Sequence, residues 1–213
     1  MDCHRGTERA GGRTEFLNAD APDPVALLRE DRARAAERAD PMANLCVVAT
    51  VDAGEPEART MVLRDLEPAL SGPPSFGLFV NSTSPKFREF RQSSTVAIVV
   101  YLPSLAVQYR LRCSLEQLPQ GLVRASWQLR PPIPKRMDWL YEDHAQSSVI
   151  DSREALVDLL HGPEPASAPE SAVGFRLLAE SVERLDLDTE DGVHDRRHYA
   201  FDGQSWREDV RVP

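Results

Sequence analysis

The chain has 213 residues, enough for one sizeable core and short for two. Hydrophobic residues at 41% and charged residues at 28% are the balance of an ordinary globular protein. A net charge of −9 argues against general binding to nucleic acid or anionic membranes, whose phosphates call for surplus Lys and Arg, yet a few clustered cations still suffice for one small phosphate.

Residues 1–22 show no periodicity and read as a flexible N-terminal extension to a single domain spanning 23–213. Asp23-Pro24 opens an amphipathic helix that runs to about Asp40-Pro41, with Asp23 suited to the N-cap and Pro24 to the first helical position. Leu45 to Val51 is β-branched and reads as a strand, followed by a turn over Asp52 to Pro56. Ala58 to Arg64 is the returning strand. Ser75 to Asn81 is a third, reached through Pro73-Pro74, and Ser82 to Gln92 is a turn entering a short helix. Thr95 to Leu102 is a buried strand by its unbroken apolar run, and Val107 to Cys113 alternates, so one face meets polar partners. Residues 119–145 are helical around a Pro-rich break at Arg130 to Pro134, and a further helix spans Ser152 to Leu160. His161 to Ser171 is a surface linker. Val173 to Leu178, Val182 to Leu187 and Arg197 to Phe201 are the final strands. Closely spaced antiparallel strands with helices grouped between them predict an α+β, mainly β chain built on a closed or nearly closed barrel.

The cysteines, Cys3, Cys46 and Cys113, are far apart and form no CxxC pair, which points to a reducing compartment and to neither a zinc site nor a disulfide framework. Met1 to Gly12 lacks the apolar stretch of a signal peptide, and no apolar run approaches the ~20 residues of a membrane-spanning helix. A cytoplasmic protein is expected. His144, His161 and His198 lack metal-ligand spacing, and no GxSxG, P-loop or GxGxxG string occurs.

Four strings can carry chemistry. Arg59 to Arg64 places a cation at each end of an apolar strand, for an anion or simply for solvent. Asn81-Ser82-Thr83-Ser84-Pro85-Lys86 joins a strand to a helix. It offers hydroxyls, free N–H groups and a helix N-terminus to a phosphate, or else forms a capping turn with Ser84 as N-cap and Lys86 in solvent. Gln146-Ser147-Ser148 can bond a heterocycle, and Gly192 to Arg196 is an anion clamp or a polar turn.

Taken in order, these strings resemble the pyridoxamine 5′-phosphate oxidase family. The likeness rests on Asp40-Pro41-Met42, Val47 to Asp52, Arg59-Thr60-Met61-Val62-Leu63-Arg64, Phe79-Val80-Asn81, Ser84-Pro85-Lys86 and Val107 to Leu111. It continues through Leu129-Arg130-Pro131, Gln146 to Ile150, Val193-His194-Asp195-Arg196 and the Trp206 to Pro213 ending. The resemblance covers roughly residues 22–213. It implies a split β-barrel that forms a homodimer with FMN in clefts between subunits. Arg59 and Lys86, helped by Ser84, would meet the flavin phosphate. Thr60, Met61, Val62, Leu63 and Arg64 would run along the cofactor, and Phe79 and Val80 would line its edge. Gln108 would contact the ring, with Gln146, Ser147 and Arg196 doing so from the partner subunit. Arg64 and Arg130 would hold a substrate phosphate, and His194 would stand at the substrate's polar edge as the catalytic side chain. The implied reaction oxidises pyridoxamine or pyridoxine phosphate to pyridoxal 5′-phosphate with O2.

The departures fall mainly in the substrate half. Arg64 stands where the family usually has Lys, Ser126 replaces a phosphate-binding Tyr, and Pro134 a phosphate-binding Ser. Gly192 takes the place of a substrate-side Arg, Arg184-Leu185 of an aromatic pair, and Pro85 of a phosphate-side Arg. Charge-assisted bonds contribute roughly 1.5–3 kcal/mol each, so the loss of three weakens a phosphorylated substrate more than it weakens FMN. Two alternatives therefore stand beside the oxidase: a related flavin oxidoreductase on another flat substrate, as in phenazine formation, and a non-catalytic FMN or vitamer binder.

Overall fold

The structure is a computed structural model that describes residues 21–66 and 75–213. Most of the expected N-terminal extension and the Pro73-Pro74 connection lie outside the described residues. Helix α1 (Pro24–Glu37) starts as its sequence predicts, the Asp23 carboxylate accepting the Val25 N–H at 2.9 Å. Strand β1 (Leu45–Asp52) and strand β2 (Glu55–Val62) form a hairpin over Ala53 and Gly54, at φ 51° and 93°. Positive φ at both central residues is the turn whose twist matches the strands.

The expected strand through Arg64 breaks at Leu63. The Leu63 N–H donates to the Asn44 carbonyl at 2.9 Å, while its own carbonyl accepts Arg32 Nη2 at 2.8 Å. Arg32 is only 4% exposed and also bonds the Ala43 carbonyl and Asp65. A buried guanidinium on α1 thus fixes the bend. The chain then changes neighbours, and β3 (Arg64–Asp65) pairs with β4 (Phe76–Asn81) instead of β1.

Helix α2 (Pro85–Gln92) leads to β5 (Thr95–Leu102) and β6 (Val107–Gln117), which outruns its predicted end by four residues. Helices α3 (Gln120–Gln128), α4 (Pro132–Asp143) and α5 (Arg153–Leu159) follow, with the chain breaking at Pro131 as expected. Two of the predicted final strands are one: β7 (Ala172–Asp186) continues through Glu180, because a register shift opposite Arg112/Cys113 absorbs the break in its pattern. After β8 (Asp195–Phe201), an unpredicted strand β9 (Trp206–Arg211) pairs with it, ladder bonds overriding its charged sequence.

All pairings are antiparallel, in the order β2-β1-β5-β6-β7-β4-β3, with β8 and β9 continuing from β7. Strand β7 serves two partners along one edge, β4 with its first half and β8 with its second. The two ends of this order, β2 and β3, do not pair but are joined through Leu63. The expected α+β split barrel is the observed fold. Val48, Ile98, Val100, Leu102 and Val182 fill its core. On α1, the buried Asp31 accepts the Tyr109 hydroxyl at 2.5 Å, and Arg184 Nε lies 3.1 Å from the same hydroxyl. A smaller cluster of Leu66, Leu118, Val123, Trp127 and Ala172 seats α3 beside the barrel. The predicted linker 161–171 has no helix or strand, but Trp139 and Gln128 bond its Ser167 and Ala166 carbonyls, strapping it to the helices. Among the described residues no helix is long and apolar enough to cross a membrane.

Candidate cofactor and substrate site

Where β2 ends and β4 passes α3 and α4, a cavity of about 390 Å³ opens. That volume suits a small-molecule ligand. One wall is Met61 and Val62 of β2 with Phe79 and Val80 of β4; the other is Val123 and Trp127 of α3 with Met137 and Tyr141 of α4. Both walls are mainly apolar, and the Tyr141 hydroxyl on the second of them bonds Gln146 and lies near Asp138 and Arg130.

Within the lining, Lys86, in the first turn of α2, donates to Gln146 Oε1 at 2.9 Å. The Gln146 N–H reaches Thr83 Oγ1 at 3.1 Å, and the chain then reverses at Ser147, whose φ of 76° places it in the left-handed region. Burial, followed by the nearby charge of Arg59, pushes the Lys86 ammonium below the usual lysine range. The two cations therefore share one neighbourhood, as the sequence implies. Arg59 does not line the cavity. Its guanidinium donates to Glu89 Oε2 at 2.7 Å and to Thr50 Oγ1 at 2.5 Å, and Glu89 is 2% exposed. Arg59 supplies charge from behind Lys86. Glu89 escaped the sequence reading, although it lies three residues past Lys86 on one helical face, a spacing that carried the signal.

Other expected residues lie elsewhere. Ser84 was expected to help with a phosphate; instead it is 3% exposed and caps α2, donating to the Asn81 carbonyl at 2.7 Å and accepting the Phe87 N–H at 3.3 Å. Leu63 does not line this cavity, and both of its backbone groups are bonded at the bend. Thr60 is exposed on β2, outside the cavity lining. Gln146 reaches Lys86 from within the same chain, not from a partner. Arg64 is exposed, lines this cavity and an adjoining one of about 470 Å³, and its guanidinium has no hydrogen bond or ion pair among the described residues.

The lining also holds a group that sequence spacing did not flag. Asp138, 6% exposed, accepts Trp127 Nε1 at 2.8 Å and lies 3.3 Å from Arg130 Nε. Burial raises its carboxyl above the usual carboxylate range, against the pull of Arg130 and Trp127. Arg130 reaches the cavity as expected, but with its charge already matched.

Gln108, His194 and Arg196 do not line the cavity. Gln108 on β6, Leu185 on β7 and Arg196 on β8 are directly paired neighbours, so their side chains form one row on one face of the sheet. Arg196 bonds Glu183 at 2.9 Å and the Val212 carbonyl, and His194 is exposed just before β8. One chain thus carries two separate groups of the expected residues.

The donor set around Lys86 fits a phosphate-bearing aromatic cofactor: a half-buried ammonium, a second guanidinium behind it, a placed amide and apolar walls. Comparison with known proteins agrees. Residues 27–118 match the family model described as pyridoxamine 5′-phosphate oxidase, FMN-binding domain. The chain is 30% identical over 211 residues to a pyridoxine/pyridoxamine 5′-phosphate oxidase of Pseudomonas fluorescens, covering 94% of each chain. A protein of the same description from Thermosynechococcus vestitus is 28% identical, with 92% of each covered. Among solved structures, PhzG from Burkholderia lata 383, in complex with tetrahydrophenazine-1-carboxylic acid, superposes with a TM-score of 0.73 at 20% identity over 96% of this chain and 98% of that one. A pyridoxamine 5′-phosphate oxidase-related, FMN-binding protein of Nostoc punctiforme gives a TM-score of 0.69 at 21% identity, covering 89% and 95%.

Proposed function

Because the chain belongs to the pyridoxamine 5′-phosphate oxidase family, we propose that it is a homodimeric FMN-dependent oxidase acting on a flat heteroaromatic amine or alcohol. Pyridoxamine and pyridoxine phosphates are the substrates implied by its relatives' names. The observation that carries the proposal is the Lys86–Gln146 pair, backed by Arg59, in a mainly apolar-walled cavity.

Lys86 and Gln146 would hold the FMN phosphate, with the Arg59 charge adding to theirs. Met61, Val62, Phe79 and Val80 would exclude water from the ring and hold a flat substrate against it. Bound FMN supplies a two-electron acceptor that O2 can reoxidise, releasing hydrogen peroxide. A second copy explains the separated residues: its Gln108–Leu185–Arg196 row would close the open side of the cavity, and its His194 would approach the substrate edge.

The test is purification with FMN, with flavin absorbance counted per chain. Anaerobic mixing with pyridoxamine, pyridoxine and their phosphates should then bleach the flavin, and air should restore it with release of peroxide. A monomer that takes up no flavin would refute the proposal, and a flavin-loaded dimer bleached by none of these compounds would refute the oxidase assignment for them. Arg130 favours a second reading in which the substrate is not a vitamer phosphate, since its charge is matched by Asp138.

A further inference from the structure

The part of the cavity around Asp138 is built against a second phosphate. Asp138 is a buried carboxylate whose Oδ2 takes both the Trp127 N–H at 2.8 Å and the Arg130 guanidinium at 3.3 Å. Helix α4 begins on the same wall, where a helix N-terminus would ordinarily offer free N–H groups to an anion. Here Pro131 is the N-cap, Pro132 the first helical residue and Pro134 the third, so three of these donors do not exist. The Lys135 N–H is engaged by the Pro131 carbonyl at 3.2 Å, which leaves the first turn the Ile133 N–H. The Lys135 ammonium is turned away as well, held by Glu164 at 2.6 Å and lying over the Trp127 ring.

The charges lining the cavity work in the same direction. The charged residues lining the cavity are Arg64, Lys86, Arg130 and Asp138, three cations against one anion. Arg59 behind them is matched by Glu89. A phosphomonoester carries about −1.5 to −2 at neutral pH, so one cofactor phosphate brings the cavity close to neutrality. A second dianion would meet no surplus positive charge and one fixed carboxylate.

We infer that Asp138 selects an unphosphorylated flat ring as the substrate class, one bearing a hydrogen-bond donor for the Asp138 carboxylate and at most a single negative charge for Arg64. This rests on the flavin reading given above. Asp138 Oδ1, which neither Trp127 nor Arg130 uses, receives the donor. Arg64, which lines the cavity and whose guanidinium has no hydrogen bond or ion pair among the described residues, receives the charge if the ligand has one.

The experiment uses the FMN-loaded protein and a pair of rings that cannot be oxidised, 4-deoxypyridoxine and its 5′-phosphate, titrated by calorimetry with the flavin spectrum as a second readout. The wild type should bind the free ring at least as tightly as the phosphate. Asp138→Asn keeps an acceptor for Trp127 and removes the charge; it should tighten the phosphate by about tenfold and leave the free ring unchanged or weaker. A wild type that prefers the phosphate tenfold or more, or an Asp138→Asn protein with no gain for it, overturns the inference while FMN binding stands. A chain that takes up no FMN overturns both. The wild-type ratio decides the matter even if the variant fails to fold.

Discussion

The Arg59–Glu89 ion pair beside Lys86 makes a two-signed prediction. Glu89 Oε2 accepts Arg59 Nη2 at 2.7 Å and the Thr50 hydroxyl at 2.5 Å, and both the Arg59 and the Glu89 charges act on Lys86. Replacing Glu89 with Gln keeps an acceptor and most of the shape while removing one negative charge. Two effects follow with opposite readouts. The apoprotein loses the charge-assisted part of two bonds; deleting one partner of a buried pair costs roughly 3–5 kcal/mol, but an isostere that keeps the hydrogen bonds should cost about 1–2 kcal/mol. For a chain of this size, that lowers Tm by about 2–8 °C. The local charge of Arg59, Lys86 and Glu89 meanwhile rises from one positive to two, the match for a phosphate dianion. Arg59 is 21% exposed, which tempers the gain to about tenfold in FMN affinity. Thermal melts of the apoprotein and FMN titration by flavin fluorescence quenching measure the two effects separately. A Glu89→Gln protein that melts lower yet binds FMN no tighter would refute the reasoning and show that Glu89 serves the phosphate by aiming Arg59, not by tempering its charge.

Lys86→Met should weaken FMN by about 10–100-fold, the range of one charge-assisted bond, measured in the same titration. Lys86 also sets a pH dependence. Its ammonium lies below the usual lysine range, so FMN affinity should fall as pH rises through that lowered value, earlier than for an ordinary lysine, while the unfavourable contribution of the buried charge to apoprotein stability is relieved over the same interval. Affinity profiles against pH check this, and the fall should be absent in Lys86→Met. Tyr109→Phe removes the donor to the buried Asp31 and should cost about 1–3 kcal/mol in urea unfolding, with FMN binding in the folded fraction unchanged. Gly174→Ala would set a Cβ 2.9 Å from Leu118 Cδ1 and 3.1 Å from the Phe79 ring. Overpacking there should cost about 1–3 kcal/mol and lower FMN affinity by moving the cavity wall, both read from melts and titration.

Much of the molecule follows from local chemistry. Asp23-Pro24 and Ser84-Pro85 start helices because a capping oxygen and a fixed φ suit the first turn wherever they occur, and Thr95 to Leu102 is a strand by composition. The order of short strings carried the family likeness, and with it the barrel and the nearness of Lys86 to Arg59. What sequence could not supply were pairings between distant groups. Arg32 reaches from α1 to bend the chain at Leu63, and this decides that Arg64 faces the cavity from β3 instead of extending β2. Glu89 claims Arg59, and Asp138 claims Arg130; a carboxylate's partner is set by tertiary distance, which spacing along the chain does not encode. The row of Gln108, Leu185 and Arg196 likewise exists only through the register of three strands. Residue types and their order determined which charges this protein owns, while the packing of α1 and α2 against the barrel and of α4 on α3 decided which of them remain free to meet a ligand.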